Sequence, residues 1–142
     1  MAFIDEVHRM ASVVPLGVQH WTNADVEVGG YTIPKDTIVV PNLWEVHHDP
    51  ITWGDPDVFR PDRFIDQSGK FVKHEHVIPF SIGARRCPGE LLAKSEIYLF
   101  VTGLLQNFTF SVPKGGQAPG LDYKFGFTLL PSAFEVHIEP RL

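Results

Sequence analysis

The sequence predicts an α+β fold in which helices and short antiparallel strands are joined by long loops. Apolar residues recur with helical spacing between residues 91 and 105. Short alternating strand patterns flank a two-residue Gly29-Gly30 turn. The 142 residues include 12 glycines and 12 prolines, and the density of Pro, Asp and Gly between residues 52 and 70 is typical of a loop. We expect one domain over residues 1–142.

Composition excludes several classes of protein. The chain is 44% hydrophobic and 20% charged, as globular domains are. Its net charge of −5 gives no basic footprint, so we expect no nucleic-acid partner. The single cysteine, Cys87, rules out an internal disulfide. The sequence shows no secretory signal and no apolar run of the roughly 18 residues that a membrane span needs, and it assigns no location to the protein.

The N-terminal half begins with a predicted helix. One apolar face of this helix comprises Phe3, Ile4, Val7, Met10 and Ala11. The absence of a cap before it predicts a helix cut near its beginning, and Pro15 is expected to end it.

A β-hairpin is predicted next, with Val26 and Val28 before the glycine turn and residues 31–33 after it. A further strand is expected at residues 37–40, and a short helix ended by Pro50 follows. Adjacent residues on a helix point apart, so we expect His47 and His48 to be solvated rather than metal ligands. The second histidine pair, at positions 74 and 76, is expected at the surface.

The C-terminal half contains the long apolar helix that begins near residue 88. Alternation predicts strands at residues 108–112 and 133–138. Cys87 directly precedes the helix, whose first position suits Pro88. The helix N-terminus and the neighbouring Arg85 and Arg86 favour a thiolate, prepared for metal ligation or nucleophilic attack. The alternative is an inert buried cysteine at a helix start.

The motif Phe80-x-x-Gly83-x-Arg85-x-Cys87-x-Gly89 resembles the heme-binding signature of the cytochrome P450 superfamily. The resemblance implies that Cys87 is the axial thiolate ligand of the iron of heme b. It implies that Arg85 bonds a heme propionate, that Gly83 permits a tight turn, and that Gly89 leaves room for the porphyrin. Phe80 would pack against the ligand loop.

Two further motifs extend the resemblance. By spacing alone, Glu6 and Arg9 form a surface ion pair worth less than about 1 kcal/mol. Glu6-x-x-Arg9 is, however, similar to a family motif whose third member is an arginine, here Arg63 in Pro61-Asp62-Arg63-Phe64. The resemblance implies that these three residues form a buried structural charge network. His20 matches a position that bonds a propionate in animal microsomal members.

The resemblance also implies substrate contacts from two segments. The candidate residues are Val13, Val14, Leu16, Phe127 and Leu129. In family terms the chain comprises the start of helix K, a hairpin sheet, the meander loop, the cysteine-ligand loop, helix L and the C-terminal strands. The central distal helix, which manages dioxygen and protons, has no counterpart here. We therefore expect the C-terminal, heme-binding portion of a family member.

Three functions are considered. The first is a heme-thiolate monooxygenase, as a C-terminal fragment or a shortened form, that takes electrons from an NADPH–cytochrome reductase or similar donor and oxidises an apolar small molecule. The second is a non-catalytic or peroxide-using heme-binding module. The third is a thiolate redox sensor without heme. Without the distal helix we expect heme binding with weak or absent reductase-driven turnover. The open distal face and unpaired strand edges are candidates for self-association.

Overall fold

The computed structural model describes residues 1–141 and has the mixed α+β architecture expected from the sequence. The helices are α1 (Ala2–Ala11), α2 (Leu43–His48), α3 (Pro50–Trp53) and α4 (Glu90–Asn107). Short 3₁₀ turns lie at Pro61–Phe64 and Gly83–Arg85. The strands are β1 (His20–Trp21), β2 (Val26–Val28), β3 (Tyr31–Ile33), β4 (Ile38–Val39), β5 (Phe108–Ser111), β6 (Tyr123–Lys124), β7 (Leu130–Pro131) and β8 (His137–Pro140).

The strands of the described chain form two-stranded antiparallel sheets: β1 with β4, β2 with β3, β5 with β8, and β6 with β7. The β2–β3 pair is the predicted hairpin, in which Val28 lies opposite Tyr31. Gly29 and Gly30 have φ values of 57° and 85°. Two successive positive φ values are what a two-residue type I′ turn requires, and glycine adopts them without steric cost.

Helix α1 forms where predicted but buries an unexpected face. Its fully buried side chains are Glu6 and Arg9, whereas Phe3 and Val7 of the predicted apolar face are 46% and 38% exposed. The two charged groups bond each other and backbone groups of other segments, so their burial leaves few polar atoms unpaired. The expected apolar packing face is therefore wrong for most of this helix.

The end of α1 also differs from the prediction. Ser12 adopts a left-handed conformation, with φ 36° and ψ 52°, and its backbone N–H donates to the carbonyl of His8 at 3.2 Å. This closure ends the helix before Pro15 is reached.

Helix α2 ends at His48, before Pro50 as predicted, and Pro50 itself begins a further helix that the sequence did not predict. It occupies the first turn of α3, where the missing N–H of proline costs nothing. The carboxylate of Asp49 accepts hydrogen bonds from the backbone N–H groups of Ile51 and Thr52, at 3.1 and 3.0 Å, and caps this helix. The capped turn carries Trp53, which the sequence placed in a loop, into the core.

The hydrophobic core of the described chain is small. Its buried apolar side chains are Ile4, Leu43, Trp53, Phe64, Val77 and Leu129. The rings of Trp53 and Phe64 pack edge to face, with centroids 6.2 Å apart. This cluster lies beneath α1 and supports the charged residues of that helix.

Helix α4 starts later than predicted. Its cap is Gly89 and its first residue is Glu90, so Pro88 lies in the turn before the helix and not at its first position. That turn places the N–H of Glu90 3.4 Å from the carbonyl of Cys87. Helix α4 buries none of its residues although most are apolar, and Leu91 is 82% exposed.

The last strand is shifted toward the C-terminus. Alternation predicted residues 133–138, whereas β8 is His137–Pro140. The register places His137 opposite Ser111, where β5 ends. Residues 133–136 therefore have no strand opposite them within the described chain, and alternation alone does not make them a strand.

The chain exposes 10741 Å² of surface for a mass of 16.0 kDa. A compact monomer of this mass exposes about 7,400 Å². The difference agrees with the exposed apolar helix and with the open cavities described below. Within residues 1–141, no helix is both long and apolar enough to cross a membrane.

Candidate functional site

The loop that carries Cys87 is shaped by backbone hydrogen bonds. The N–H of Cys87 donates to the carbonyl of Phe80 at 2.9 Å, which closes the loop, and the N–H of Ser81 donates to the carbonyl of Ile78 at the same distance. Gly83 has a φ of 74° inside it. A side chain at that position would be strained by the backbone, although space around it is open.

Cys87 is exposed and lines a large cavity of about 950 Å³. The alternative of an inert buried cysteine is therefore wrong. Arg85, Phe80 and His20 line the same cavity, so the structure brings together four residues that the sequence analysis selected. Most of the remaining lining is apolar, including Val13, Val14, Val18, Ile97 and Phe127.

Two predicted glycines lie beside this cavity but do not line it. A Cβ on Gly89 would meet the Sγ of Cys87 at 3.8 Å, an ordinary contact distance. A Cβ on Gly83 would meet nothing within 4 Å. In this chain the backbone conformation requires glycine at position 83, whereas at position 89 a Cβ would make only an ordinary contact with the sulfur.

The two predicted substrate segments meet. The N–H of Leu129 donates to the carbonyl of Val13 at 2.8 Å. Val13, Val14 and Phe127 line the large cavity. Leu129 is buried and lines a neighbouring cavity of about 550 Å³, whereas Leu16 is 54% exposed and lines neither of the two. The left-handed Gly17 turns the chain after Leu16.

Glu6, Arg9 and Arg63 lie in one buried network. Arg9 binds Glu6 through two N–H groups, with Nε–Oε2 2.8 Å and Nη2–Oε1 3.0 Å. Arg63 reaches the same carboxylate, with its Nε 3.1 Å from Oε1. The backbone N–H of Arg60 donates to Oε1 at 2.8 Å, the fourth hydrogen bond to this carboxylate. A surface ion pair at these positions is therefore excluded by the structure.

The network holds its carboxylate in the charged form. Burial alone would raise the pKa of Glu6, but hydrogen bonds from Arg9 and from the Arg60 backbone, with the charges of Arg9 and Arg63, outweigh it and lower that pKa. Both guanidinium groups also lie over the ring of Trp53, at 5.3 and 5.7 Å from a ring centre. Other donors of Arg9 and Arg63 reach backbone carbonyls, among them that of His47, and Arg63 also binds the carboxylate of Asp55 at 3.1 Å.

Sequence reasoning missed two histidines near this site. His47 was expected in solvent but is fully buried, hydrogen-bonded through both ring nitrogens. His8 lines the large cavity, and its ring lies edge-on to Phe80 at 5.4 Å. Its Nε2 is buried with no hydrogen-bond partner among residues 1–141, and burial lowers its pKa. Neither position carries a local sequence signal, because the surroundings of both rings come from segments distant along the chain. No cluster of His, Cys, Asp and Glu suited to a metal ion occurs within residues 1–141.

A soft sulfur donor, a guanidinium and an apolar cavity suit a large apolar ligand that carries a metal and carboxylates. A family model described as Cytochrome P450 matches residues 1–138. The chain belongs to the cytochrome P450 family.

Individual cytochrome P450 proteins are similar to almost the whole chain. Cytochrome P450 2U1 of Rattus norvegicus is 47% identical over 140 residues, which cover 99% of this chain and 26% of that protein. Cytochrome P450 2L1 of Panulirus argus is 54% identical over 114 residues, 80% of this chain and 23% of that protein. Cytochrome P450 2D15 of Canis lupus familiaris is 48% identical over 141 residues, 99% and 28% respectively. The chain thus spans about a quarter of the length of these relatives.

Proteins of the cytochrome P450 family are heme-thiolate monooxygenases that bind heme b and work with a reductase and a hydrophobic substrate. The large cavity fits this cofactor. Its volume lies within the roughly 300–1,000 Å³ of cofactor sites, and its walls are mostly apolar. Cys87 exposes a sulfur to this cavity, and Arg85 forms no ion pair with a carboxylate among residues 1–141.

Proposed function

We propose that this chain is the heme-binding segment of a heme-thiolate monooxygenase, with Cys87 as the ligand of the heme iron. The observation that supports this most strongly is that Cys87, Arg85 and His20 line one cavity. Arg85 and His20 come from different parts of the chain, and each can donate a hydrogen bond to a propionate. When bound, a heme with a thiolate ligand supplies the electron density that favours O–O cleavage.

The chain's own residues orient the sulfur. The hydrogen bond from the Cys87 N–H to the Phe80 carbonyl fixes the backbone of the ligand. Phe80 is itself held between the ring of His8 on one helix and the Nζ of Lys94 on another, 5.4 and 5.6 Å from its ring centre. These contacts give the loop a defined shape without further partners. Gly89 keeps the side adjacent to the sulfur open.

For the substrate we propose the apolar wall made by Val13, Val14 and Phe127. Phe127 is 75% exposed and lines the same cavity as Cys87, so it is accessible to an apolar molecule bound there. Leu129 supports this wall from beneath through its hydrogen bond to Val13. Leu16 has no such position and is the weakest member of the predicted set.

We assign α1 to helix K, α4 to helix L and residues 52–70 to the meander of the family fold, and we take residues 1–142 as one partial domain. The support for the first and third assignments is the network that joins Glu6 and Arg9 of α1 to Arg63. Its role in this proposal is structural, because the three side chains are almost fully buried against Trp53 and do not line the large cavity.

A second candidate function is a non-catalytic or peroxide-using heme module. The observation that favours it is the exposure of Cys87 and of much of α4, which leaves the cavity open to water. Water at the iron weakens the proton control that oxygen cleavage with reductase electrons requires. A reductase partner, an apolar substrate and self-association through exposed apolar surface remain predictions.

Turnover assays separate the two candidates. Purified chain is loaded with heme and supplied either with NADPH and a cytochrome reductase or with hydrogen peroxide, in the presence of an apolar test substrate. We expect product with peroxide and little or none with the reductase. Reductase-driven product coupled to substrate would instead support the complete monooxygenase activity in this chain. Product from neither would leave heme binding without catalysis.

A further inference from the structure

His47 joins the N-terminal helix to the segment that leads into the cysteine loop. Its side chain is fully buried on α2. The Nδ1 atom lies 2.7 Å from the hydroxyl of Ser12, which ends α1. The Nε2 atom accepts a hydrogen bond from the backbone N–H of Ile78 at 3.0 Å. Residues far apart in sequence are therefore connected through one imidazole ring.

The hydrogen-bond partners define the tautomer of this ring. The Ser12 hydroxyl donates to the carbonyl of Arg9 at 2.8 Å, so toward His47 it acts as an acceptor. Nδ1 must then carry the proton, and Nε2 keeps the lone pair that Ile78 needs. Only the neutral ring with a proton on Nδ1 satisfies both contacts. Protonation of Nε2 would place two donors, Nε2–H and the Ile78 N–H, against each other.

Ile78 lies at the base of the cysteine loop. Its carbonyl accepts from the N–H of Ser81, and Phe80, two residues after it, accepts from the N–H of Cys87. The backbone carbonyl of His47 accepts from Nη1 of Arg9 at 2.8 Å. His47 thus contacts the buried charge network through its backbone carbonyl and the start of the cysteine loop through its ring.

We propose that His47 is a positioning residue for the iron-ligating cysteine, because it fixes the backbone of Ile78 from which the loop around Cys87 is built. The proposal rests on the proposed heme-binding function. It assigns to His47 no contact with the heme or the substrate. Loss of the ring acceptor should free the Ile78 N–H, loosen the loop and lower the fraction of heme bound through the thiolate.

Three variants and a matched control test this. His47→Leu keeps the approximate volume but removes both ring contacts, and His47→Gln restores one donor and one acceptor. Ser12→Ala removes only the partner of Nδ1. The control is His48→Leu, because His48 is the adjacent residue and its ring stacks on Trp44 and contacts the Trp44 carbonyl within α2.

Two readouts are used on the full 142-residue chain. The first is the absorption band of the reduced, carbon-monoxide-bound heme, which reports the fraction with thiolate ligation. The second is amide hydrogen exchange of residues 78–87 in the heme-free protein. For His47→Leu we expect exchange at Ile78 to rise at least about fivefold, as for a buried hydrogen bond that has lost its partner, together with loss of most of the thiolate band. His47→Gln should recover most of the band, Ser12→Ala should show a smaller change in the same direction, and His48→Leu should resemble the wild type.

Several results would overturn the positioning role of His47. Equal effects of His47→Leu and His48→Leu, or exchange that rises evenly along the whole chain, would overturn the proposal. If His47→Leu does not fold, His47→Gln and Ser12→Ala decide it, and unchanged exchange at Ile78 in Ser12→Ala would count against it. If wild-type chain shows no thiolate band, the heme function fails, while faster exchange confined to residues 78–87 in heme-free His47→Leu would still support the positioning of the loop.

Discussion

Buried charged and titratable side chains decide much of the stability of this molecule. Glu6 and Arg9 are fully buried, and Arg63 is almost so. Taking such groups out of water is costly, and removal of one partner leaves the others unpaired in a poorly solvated region. The network therefore stabilises the packing of α1 against the segment around Arg63.

The loss of stability from breaking the network can be compared with the loss from removing Arg60, because Arg60 and Arg63 both bind Asp55. Arg63→Ala should lower the free energy of unfolding by about 3–5 kcal/mol, because it leaves Glu6 under-paired. Arg60→Ala, which removes a half-exposed partner of the same Asp55 carboxylate, should cost less than about 1 kcal/mol. Urea denaturation of both variants gives the comparison. Similar losses for the two would mean that burial of Arg63 has no energetic consequence.

His47 should make stability depend on pH. Burial, with smaller effects from the charges of His48, Arg9 and His8, lowers its pKa from 6.5 to about 4. Between pH 6.5 and pH 4 the unfolded chain therefore binds a proton at His47 that the folded chain does not bind. The free energy of unfolding falls as pH decreases over this range, by up to about 3 kcal/mol. The stabilising effect of the neutral ring is fully present above pH 6.5.

Urea denaturation of wild type and His47→Gln across this pH range isolates the effect of the ring. The stability advantage of the wild type over the variant should shrink steadily between pH 6.5 and pH 4. Glu6 changes the stability only at lower pH. Its folded pKa lies below the ordinary value of 4.5, so the stabilisation by its ionised carboxylate is lost as pH falls below 4.5 and through the folded pKa. An advantage that stays constant from pH 6.5 to 4 would contradict the buried neutral state of His47.

The helices and strands show which parts of the fold the sequence could predict. The Gly29-Gly30 hairpin was predictable because the turn is decided by two adjacent residues. The loop that holds Phe80, Arg85 and Cys87 was also predictable, because the motif lies within ten consecutive residues. The buried face of α1 was not predictable from apolar spacing, because Glu6 and Arg9 are buried by partners that lie more than 35 residues away. His47 escaped prediction likewise, since its partners are Ser12 and Ile78.

Two glycines in and before α4 provide a test of backbone requirements. Gly103 lies in the helix interior, and an added Cβ would meet nothing within 4 Å. Gly103→Ala should therefore raise the free energy of unfolding by about 0.5–1 kcal/mol. Gly83→Ala should lower it by at least about 1 kcal/mol, because the backbone there has a φ of 74° although space is open. Thermal unfolding of both variants checks the opposite signs, and stabilisation by Gly83→Ala would show that the loop does not need the left-handed conformation.

The molecule as a whole has a small core and leaves many large apolar side chains exposed to solvent. The most exposed large side chains of α4 include Leu91, Leu99 and Phe100, at 82%, 67% and 70%. The helix is apolar on all sides, a pattern that is typical of helices enclosed by other segments. This agrees with a chain that spans about a quarter of the length of its relatives.

Charge can be added to this surface without damage to the fold. Leu91→Lys and Leu99→Lys should each change the free energy of unfolding by less than about 0.5 kcal/mol and should raise the solubility of the chain. The contrasting variant is Phe64→Lys, which places a charge in the fully buried core and should prevent folding. Solubility and the midpoint of urea denaturation are measured for all three variants and for the wild type. A large loss of stability from Leu91→Lys would mean that α4 is packed in solution.

Ligation of the heme iron by Cys87 is tested most directly by the absorption spectrum of the heme-loaded chain, reduced and exposed to carbon monoxide, compared with that of Cys87→Ala. We expect a strongly red-shifted Soret band, as thiolate ligation produces, in the wild type and its loss in the variant. Arg60→Ala serves as a control that should keep the band. A wild-type band typical of histidine-ligated or free heme, or the same band in both proteins, would contradict the assignment of Cys87 as the iron ligand.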